Sequence, residues 1–192
     1  MPDATELVAT ADLKSYLQIT GITYDTILAS IKASVEAWMK IYCRDPFLVA
    51  QYTEYYDGHG SSRLHVRHYP ITSIDEVNID SDRTFAVATK VATADIIQSD
   101  QSNSEGVIEL FGEVFSQGQK NVKVLYKAGY SSVPADLQLA VKIICAREFL
   151  IQDKKMAGIV SQSVSDKTLS LNLEEIPRNA WTILQAYRRP LV

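Results

Sequence analysis

Residues Pro134 to Lys155 read PADLQLAVKIICAREFLIQDKK, and the fold turns on how this stretch is placed. Pro134 suits the first turn of a helix, where its missing N–H costs nothing, and Asp136 sets negative charge near the positive end of the helix dipole. At 100° per residue the apolar side chains fall into two groups. Leu137, Ala140, Val141, Ile144 and Cys145 line one side, and Leu139, Ile143, Ala146 and Leu150 line another. Asp136 with Arg147 and Lys154, and Gln138 with Lys142 and Asp153, form narrow polar stripes between them. One face is enough to close a single core, so the second must meet another layer of this chain or another chain.

Upstream, two helices are expected. Thr10 is placed to cap one from Ala11 to Gln18, with Asp12 in the first turn, Leu13, Tyr16 and Leu17 as its apolar side, and Gly21 as its end. The next runs from Tyr24 to Tyr42, with Ile27, Leu28, Ile31, Val35, Trp38 and Tyr42 at helical spacing. Asp45-Pro46 stops it, since the residue before proline is pushed out of the helical region.

From Phe47 the apolar period changes to two. Leu48, Ala50, Tyr52 and Tyr56 alternate along one strand, Asp57 to Gly60 is a turn, and Leu64 and Val66 share a face of a returning strand, which predicts a hairpin. Further strands are expected around Ile71 to Ile79, Phe85 to Val91, Asp95 to Gln98, Val107 to Phe111 and Asn121 to Tyr126. Gly106, Gly112 and Gly118 are evenly spaced, but the residues between them do not resemble one another, so they mark turns rather than a repeat. Beyond the long helix, residues 157–167 read as a loop or linker. Leu169, Leu171 and Leu173 alternate as an extended arm, and Pro177 opens a last helix carrying Ala180, Trp181, Leu184 and Tyr187.

The predicted class is α+β. Two N-terminal helices and one long helix form a helical core, with an inserted small antiparallel β barrel or sandwich and an extended C-terminal tail ending in a short helix. The corresponding divisions are 1–46, 47–130, 131–156 and 157–192.

Composition narrows the function. With 192 residues, 46% hydrophobic and 22% charged, the chain reads as a folded protein. No run reaches the ~18 apolar residues of a membrane span, and MPDATELVAT lacks the features of a signal peptide, so synthesis in a cytoplasm and no membrane partner are expected. Cys43 and Cys145 are far apart and lack metal or redox spacing, which favours buried free thiols. A net charge of −4 argues against indiscriminate attraction to nucleic acid.

Chemistry is sparse. His59 lies in a turn, while His65 and His68 point to opposite faces of a strand, so a shared metal is not expected. Asp57-Gly58-His59-Gly60 is too short for a dinucleotide fingerprint, no phosphate-binding loop or G-x-S-x-G elbow occurs, and Cys43 has no evident activating partners. Asp75-Glu76 and Glu174-Glu175 place neighbours on different faces and read as solvated charge. Lys154-Lys155 and Arg188-Arg189 read as cations complementing helix C-termini. No catalytic residue, cofactor or metal is assigned.

Several stretches, in order, resemble the head–tail connector or adaptor proteins of tailed double-stranded DNA phages and gene-transfer particles. They are ADLKSYLQI with YDTILASIKASVEAWMKIYCRDPF, LHVRHYPITSIDEVNID, VKVLYKAGYSSVPADLQLAVKIICAREFLIQD, and IPRNAWTILQAYRRPLV. Asp80 to Ser104 contributes little to the match. The resemblance implies a structural protein of the virion neck, assembled in the host cytoplasm. Its subunits form a ring beneath the portal, taken as dodecameric, and genomic DNA passes through the extended channel. Its partners are the portal protein and a neck or tail-completion protein. Carried onto this chain, Ile176, Trp181, Leu184, Tyr187 and Arg188 become portal contacts. The second face of the long helix, Leu139, Ile143, Ala146 and Leu150, becomes a subunit contact, because head-to-tail ring contacts need two different surfaces.

Two other readings remain. A DNA-binding packaging accessory would use Lys120, Lys123 and Lys127, and a carbohydrate-binding protein or enzyme would use Tyr52, Tyr55 and Tyr56 as a stacking surface.

Overall fold

The computed structural model describes residues 6–153, 161–164, 167–170 and 176–189. Helices α1 (Thr10–Leu17) and α2 (Asp25–Cys43) come first. Strands β1 (Ala50–Gly58), β2 (Arg63–His65), β3 (Ile71–Ile79) and β4 (Ile96–Ile97) follow, then helix α3 (Asp100–Glu105) and strands β5 (Val107–Leu110) and β6 (Gly118–Ala128). Helix α4 (Ala135–Asp153), strands β7 (Ser161–Val164) and β8 (Lys167–Ser170), and helix α5 (Arg178–Tyr187) come last. Residues 1–46 with 133–191 form one compact unit and residues 47–132 another.

In the helical unit α2 and α4 pack on each other, and each also meets α1 and α5. The first predicted face of α4 is the core face: Leu137, Ala140, Val141, Ile144 and Cys145 are buried, joined by Phe149, whose ring meets Tyr24 edge-on at 5.2 Å. Thr10 does not cap α1. Ala9 holds the cap position without a side-chain bond, and the Thr10 hydroxyl accepts from Lys32 Nζ at 2.9 Å. Gln18, not Gly21, ends the helix in the left-handed region, and Arg44 does the same for α2.

The buried side of α2 differs from the predicted stripe. It consists of Leu28, Lys32, Val35, Glu36, Met39 and Cys43, while Ile27 and Trp38 reach the surface. Two charges are buried because each finds a partner outside the helix. Lys32 pairs with Glu6 at 2.8 Å, and the Glu36 carboxylate accepts from the backbone N–H groups of Leu7 at 3.0 Å and Val8 at 3.3 Å. This clip holds the segment before α1, and Leu7 and Val8 are themselves buried.

Burial raises the pKa of Glu36 above its ordinary 4.5, against the opposing pull of the two amides and Lys32. A carboxylate raised in the folded state contributes stability that is complete below its unfolded value and lost as pH rises through the folded one. Glu36→Gln keeps an acceptor for the amides and removes the titration. The wild-type melting temperature, relative to that of Glu36→Gln, should therefore fall as pH rises from 4 to 7, as thermal unfolding at a series of pH values would read; a flat difference contradicts the raised pKa.

The β unit contains two open three-stranded antiparallel sheets, β1-β6-β3 and β2-β5-β4, and neither closes into a barrel. They share one apolar cluster, with Val77, Val122 and Val124 from the first sheet and Leu64, Ile96, Ile108 and Leu110 from the second. The expected β1–β2 hairpin is not formed: β1 pairs with β6 from Ala50↔Ala128 to Gly58↔Gly118, and β2 pairs with β5. Residues 85–91 are not a strand either. The Asp80 carboxylate accepts from the N–H groups of Asp82, Thr84 and Phe85 and from the Thr84 hydroxyl, between 2.7 and 2.9 Å, which winds the chain into a compact loop. A short 3₁₀ turn follows at Val87–Thr89. The stretch read as a linker contains β7, which pairs with β8 from Ser161↔Ser170 to Val164↔Lys167, while Leu171, Leu173, Lys154 and Lys155 lie outside the described residues.

Candidate docking surfaces

On α4 the second apolar group is open. Leu139 is 42% exposed and Leu150 45%, with Ile143 and Ala146 half-buried between them. α5 packs against α4 and α2, yet leaves these two leucines uncovered.

α5 divides its residues between anchorage and surface. Ala180 and Leu184 are fully buried, and the Leu184 carbonyl accepts from Cys43 Sγ at 3.6 Å. Leu184 therefore holds the helix onto its own unit and is not part of its outward surface. Ile176 and Tyr187 are half-buried, Trp181 is 36% exposed and Arg188 is exposed. The Tyr187 hydroxyl donates to Asp136 Oδ1 at 2.8 Å.

Arg188 and Arg189 do more than complement a dipole. Arg188 lies with its guanidinium carbon 5.1 Å from the Tyr42 ring centroid. Arg189 turns inward, where its Nε donates to Asp45 Oδ2 at 2.8 Å and its backbone N–H to the Cys43 carbonyl at 3.0 Å. Both side chains of that pair are almost wholly buried. From sequence Asp45 is expected only to help end α2, and Trp38 and Tyr42 only to recur at helical spacing along it. The available signal was the breadth of apolar residues around α2, where Ile27, Ile31, Trp38, Ile41 and Tyr42 exceed one face.

The β unit supplies no reactive constellation among the described residues. Glu54, facing inward on β1, accepts from the Tyr126 hydroxyl at 2.6 Å and from the Tyr56 hydroxyl. Those hydroxyls accept in turn from the N–H groups of His68 and Arg67, so the network ties the chain before β3 to the sheet. Burial, then Glu54, pushes both tyrosines above their ordinary range. The His68 ring stacks on Tyr52 at 3.9 Å, while Tyr55 points outward beside Phe85, so the three tyrosines form no common stacking surface.

Lys123 of the proposed DNA-binding set pairs with Glu76 at 3.1 Å, which holds that carboxyl below its usual range. Burial pushes the thiols of Cys43 and Cys145 up to about 11 and about 12, so both are protonated at neutral pH. Among the described residues no three His, Cys, Asp or Glu side chains are grouped to hold a metal, and no helix is long and apolar enough to cross a membrane.

The fold has counterparts. A chain in the neck of an empty GTA particle computed with C6 symmetry matches with a TM-score of 0.58 at 14% identity, covering 97% of this chain and 91% of that one. A chain in the neck of a native GTA particle computed with C12 symmetry matches with a TM-score of 0.56 at 15% identity, covering 100% and 93%. None of the curated proteins matches the chain in sequence. Residues 6–190 match the family described as "Head completion protein", a span that takes in every described element of both units. The chain belongs to the head completion protein family.

Proposed function

We propose that this protein is a subunit of a ring seated beneath the portal, where it continues the DNA channel and offers a platform to the next neck or tail-completion protein. The observation that carries the reading is the second face of α4, with Leu139 and Leu150 exposed on the helix whose opposite face closes the core. A head-to-tail ring covers such a face with a different surface of the next subunit. The necks similar in fold were computed with C6 and C12 symmetry, which supports a dodecamer here. Ile176, Trp181, Tyr187 and Arg188 form the surface offered to the portal, with Leu184 anchoring their helix from within.

Mixing the full chain with its portal should give a ring-shaped complex by electron microscopy. Trp181→Ala, which leaves the buried Ala180, Leu184 and Arg189 in place, should weaken binding about tenfold with the circular dichroism spectrum unchanged; undiminished binding would reject the docking surface. Leu139→Ser with Leu150→Ser should leave the subunit folded, since neither is in its core, and should shift the ring toward monomer in analytical ultracentrifugation.

A further inference from the structure

Both tryptophans of the chain lie in one surface cluster. Trp38 stacks on Tyr42, one turn further along α2, with centroids 5.3 Å apart and 15° between the planes. Trp181 of α5 meets the same tyrosine at 5.0 Å, and the Arg188 guanidinium lies over its ring. Ile41, on the same face of α2, is 77% exposed. Each tryptophan leaves about a third of its surface open. Trp, Tyr and Arg are the residues over-represented where binding energy concentrates, and rings already stacked lose little freedom when a partner arrives.

The rim of this cluster is cationic. Arg178 and Arg188 share the face of α5 that carries Trp181, and Arg44 follows α2. All three are exposed, and among the described residues none lies within salt-bridge distance of a carboxylate. The carboxylates of α2 are committed, Asp25 to Lys14 and Glu36 to two amides; Asp45 beyond it holds Arg189, and Asp136 of α4 accepts from Tyr187.

We propose that this surface takes an acidic amphipathic segment of the portal, with apolar side chains seated on Trp38, Ile41 and Trp181 and carboxylates against Arg44, Arg178 and Arg188. The proposal rests on the portal-docking reading above and adds α2 to the site. A protein segment fits better than nucleic acid, because the tryptophans are packed against Tyr42 rather than spaced as a platform for successive bases.

Intrinsic fluorescence reads the site directly, since the chain has no other tryptophan. The full chain is titrated with a Leu/Glu helical peptide of about 15 residues, with Leu/Gln and Leu/Lys peptides and a single-stranded oligonucleotide as comparators. The Leu/Glu peptide should shift the emission to the blue, more weakly at high salt. Arg178→Glu with Arg188→Glu should weaken it about tenfold, and the Arg178→Gln, Arg188→Gln pair by an intermediate factor. Arg44 is kept because its guanidinium donates to the Arg189 carbonyl. An equal response to Leu/Gln or Leu/Lys, or a response only to the oligonucleotide, overturns the proposal. So does an emission shift in the free protein on Glu174→Gln with Glu175→Gln, which would mean that the chain covers the cluster itself.

Against the portal, charge reversal at Arg178 and Arg188 should weaken binding about tenfold, and so should Trp181→Ala, which leaves the buried Ala180, Leu184 and Arg189 in place. If reversal has no effect while Trp181→Ala weakens binding, the acidic partner falls and portal docking stands. If neither has an effect, the docking reading itself falls.

Discussion

Arg189→Met should destabilise the helical unit by about 3–5 kcal/mol, the cost of breaking a buried ion pair by removing one partner. The guanidinium Nε sits 2.8 Å from Asp45 Oδ2, and the side chains are only 7% and 6% exposed. Methionine fills much of the volume but removes the guanidinium that faces the buried aspartate. The double variant Asp45→Leu, Arg189→Met removes both charges and should recover most of the loss, a non-additivity that a simple packing defect would not produce. Urea unfolding followed by tryptophan emission reports on this unit, because both indoles lie in it. A loss below about 1 kcal/mol would mean that the pair behaves as an exposed one.

Gly58→Ala is expected to be comparably severe in the β unit, by about 3 kcal/mol or more. A Cβ added there would lie 1.9 Å from the Ser116 carbonyl oxygen, and a backbone atom cannot swing aside as a side chain can. Movement would also disturb buried Asn121, whose Oδ1 accepts from the Gly58 N–H at 2.9 Å and whose Nδ2 donates to the same Ser116 carbonyl at 2.7 Å. Three segments meet at this point, next to the register irregularity between Tyr56 and Gly58. The check is the denaturation midpoint of the variant by far-ultraviolet circular dichroism; a shift of less than about 1 kcal/mol would show that the β5–β6 connection yields freely.

What the sequence disclosed and what it hid follow the range of the forces involved. The long helix was legible because helical periodicity is local: the predicted inner face of α4 is buried, and Leu139 and Leu150 of the outer one stand open. The mixed helix-and-sheet class followed from the change of period at Phe47. Strand partners did not. The turn at Asp57 to Gly60 invited a β1–β2 hairpin, but β1 pairs with β6, some seventy residues on, and nothing in the residues near the turn encodes that choice. The burial of Lys32 and Glu36 has no local signal, because their partners, Glu6 and the amides of Leu7 and Val8, approach only after folding. A strand is expected over Phe85 to Val91, yet the four bonds accepted by Asp80 reach as far as Phe85 and replace its start with a compact loop.

The proposed docking surface draws on the same local signal. Trp181, Tyr187 and Arg188 were picked out with their helix, whereas Leu184, picked with them, serves as its anchor. Trp38 is expected from sequence only as one of the apolar residues along α2, since only the meeting of α2 with α5 at Tyr42 brings the two indoles together.

The division of the chain into residues 47–132 and the two stretches on either side has a consequence for synthesis. Every strand of the two three-stranded sheets has been translated once Ala128 emerges, so that part can mature while α4 is still inside the ribosome. α1 and α2 must wait, their greasy sides unshielded, until α4 arrives, and the Asp45 carboxylate waits longer still, for Arg189. Nascent chains halted before α4 would therefore display a finished sheet domain beside a half-made bundle, and that bundle is where a chaperone would take hold.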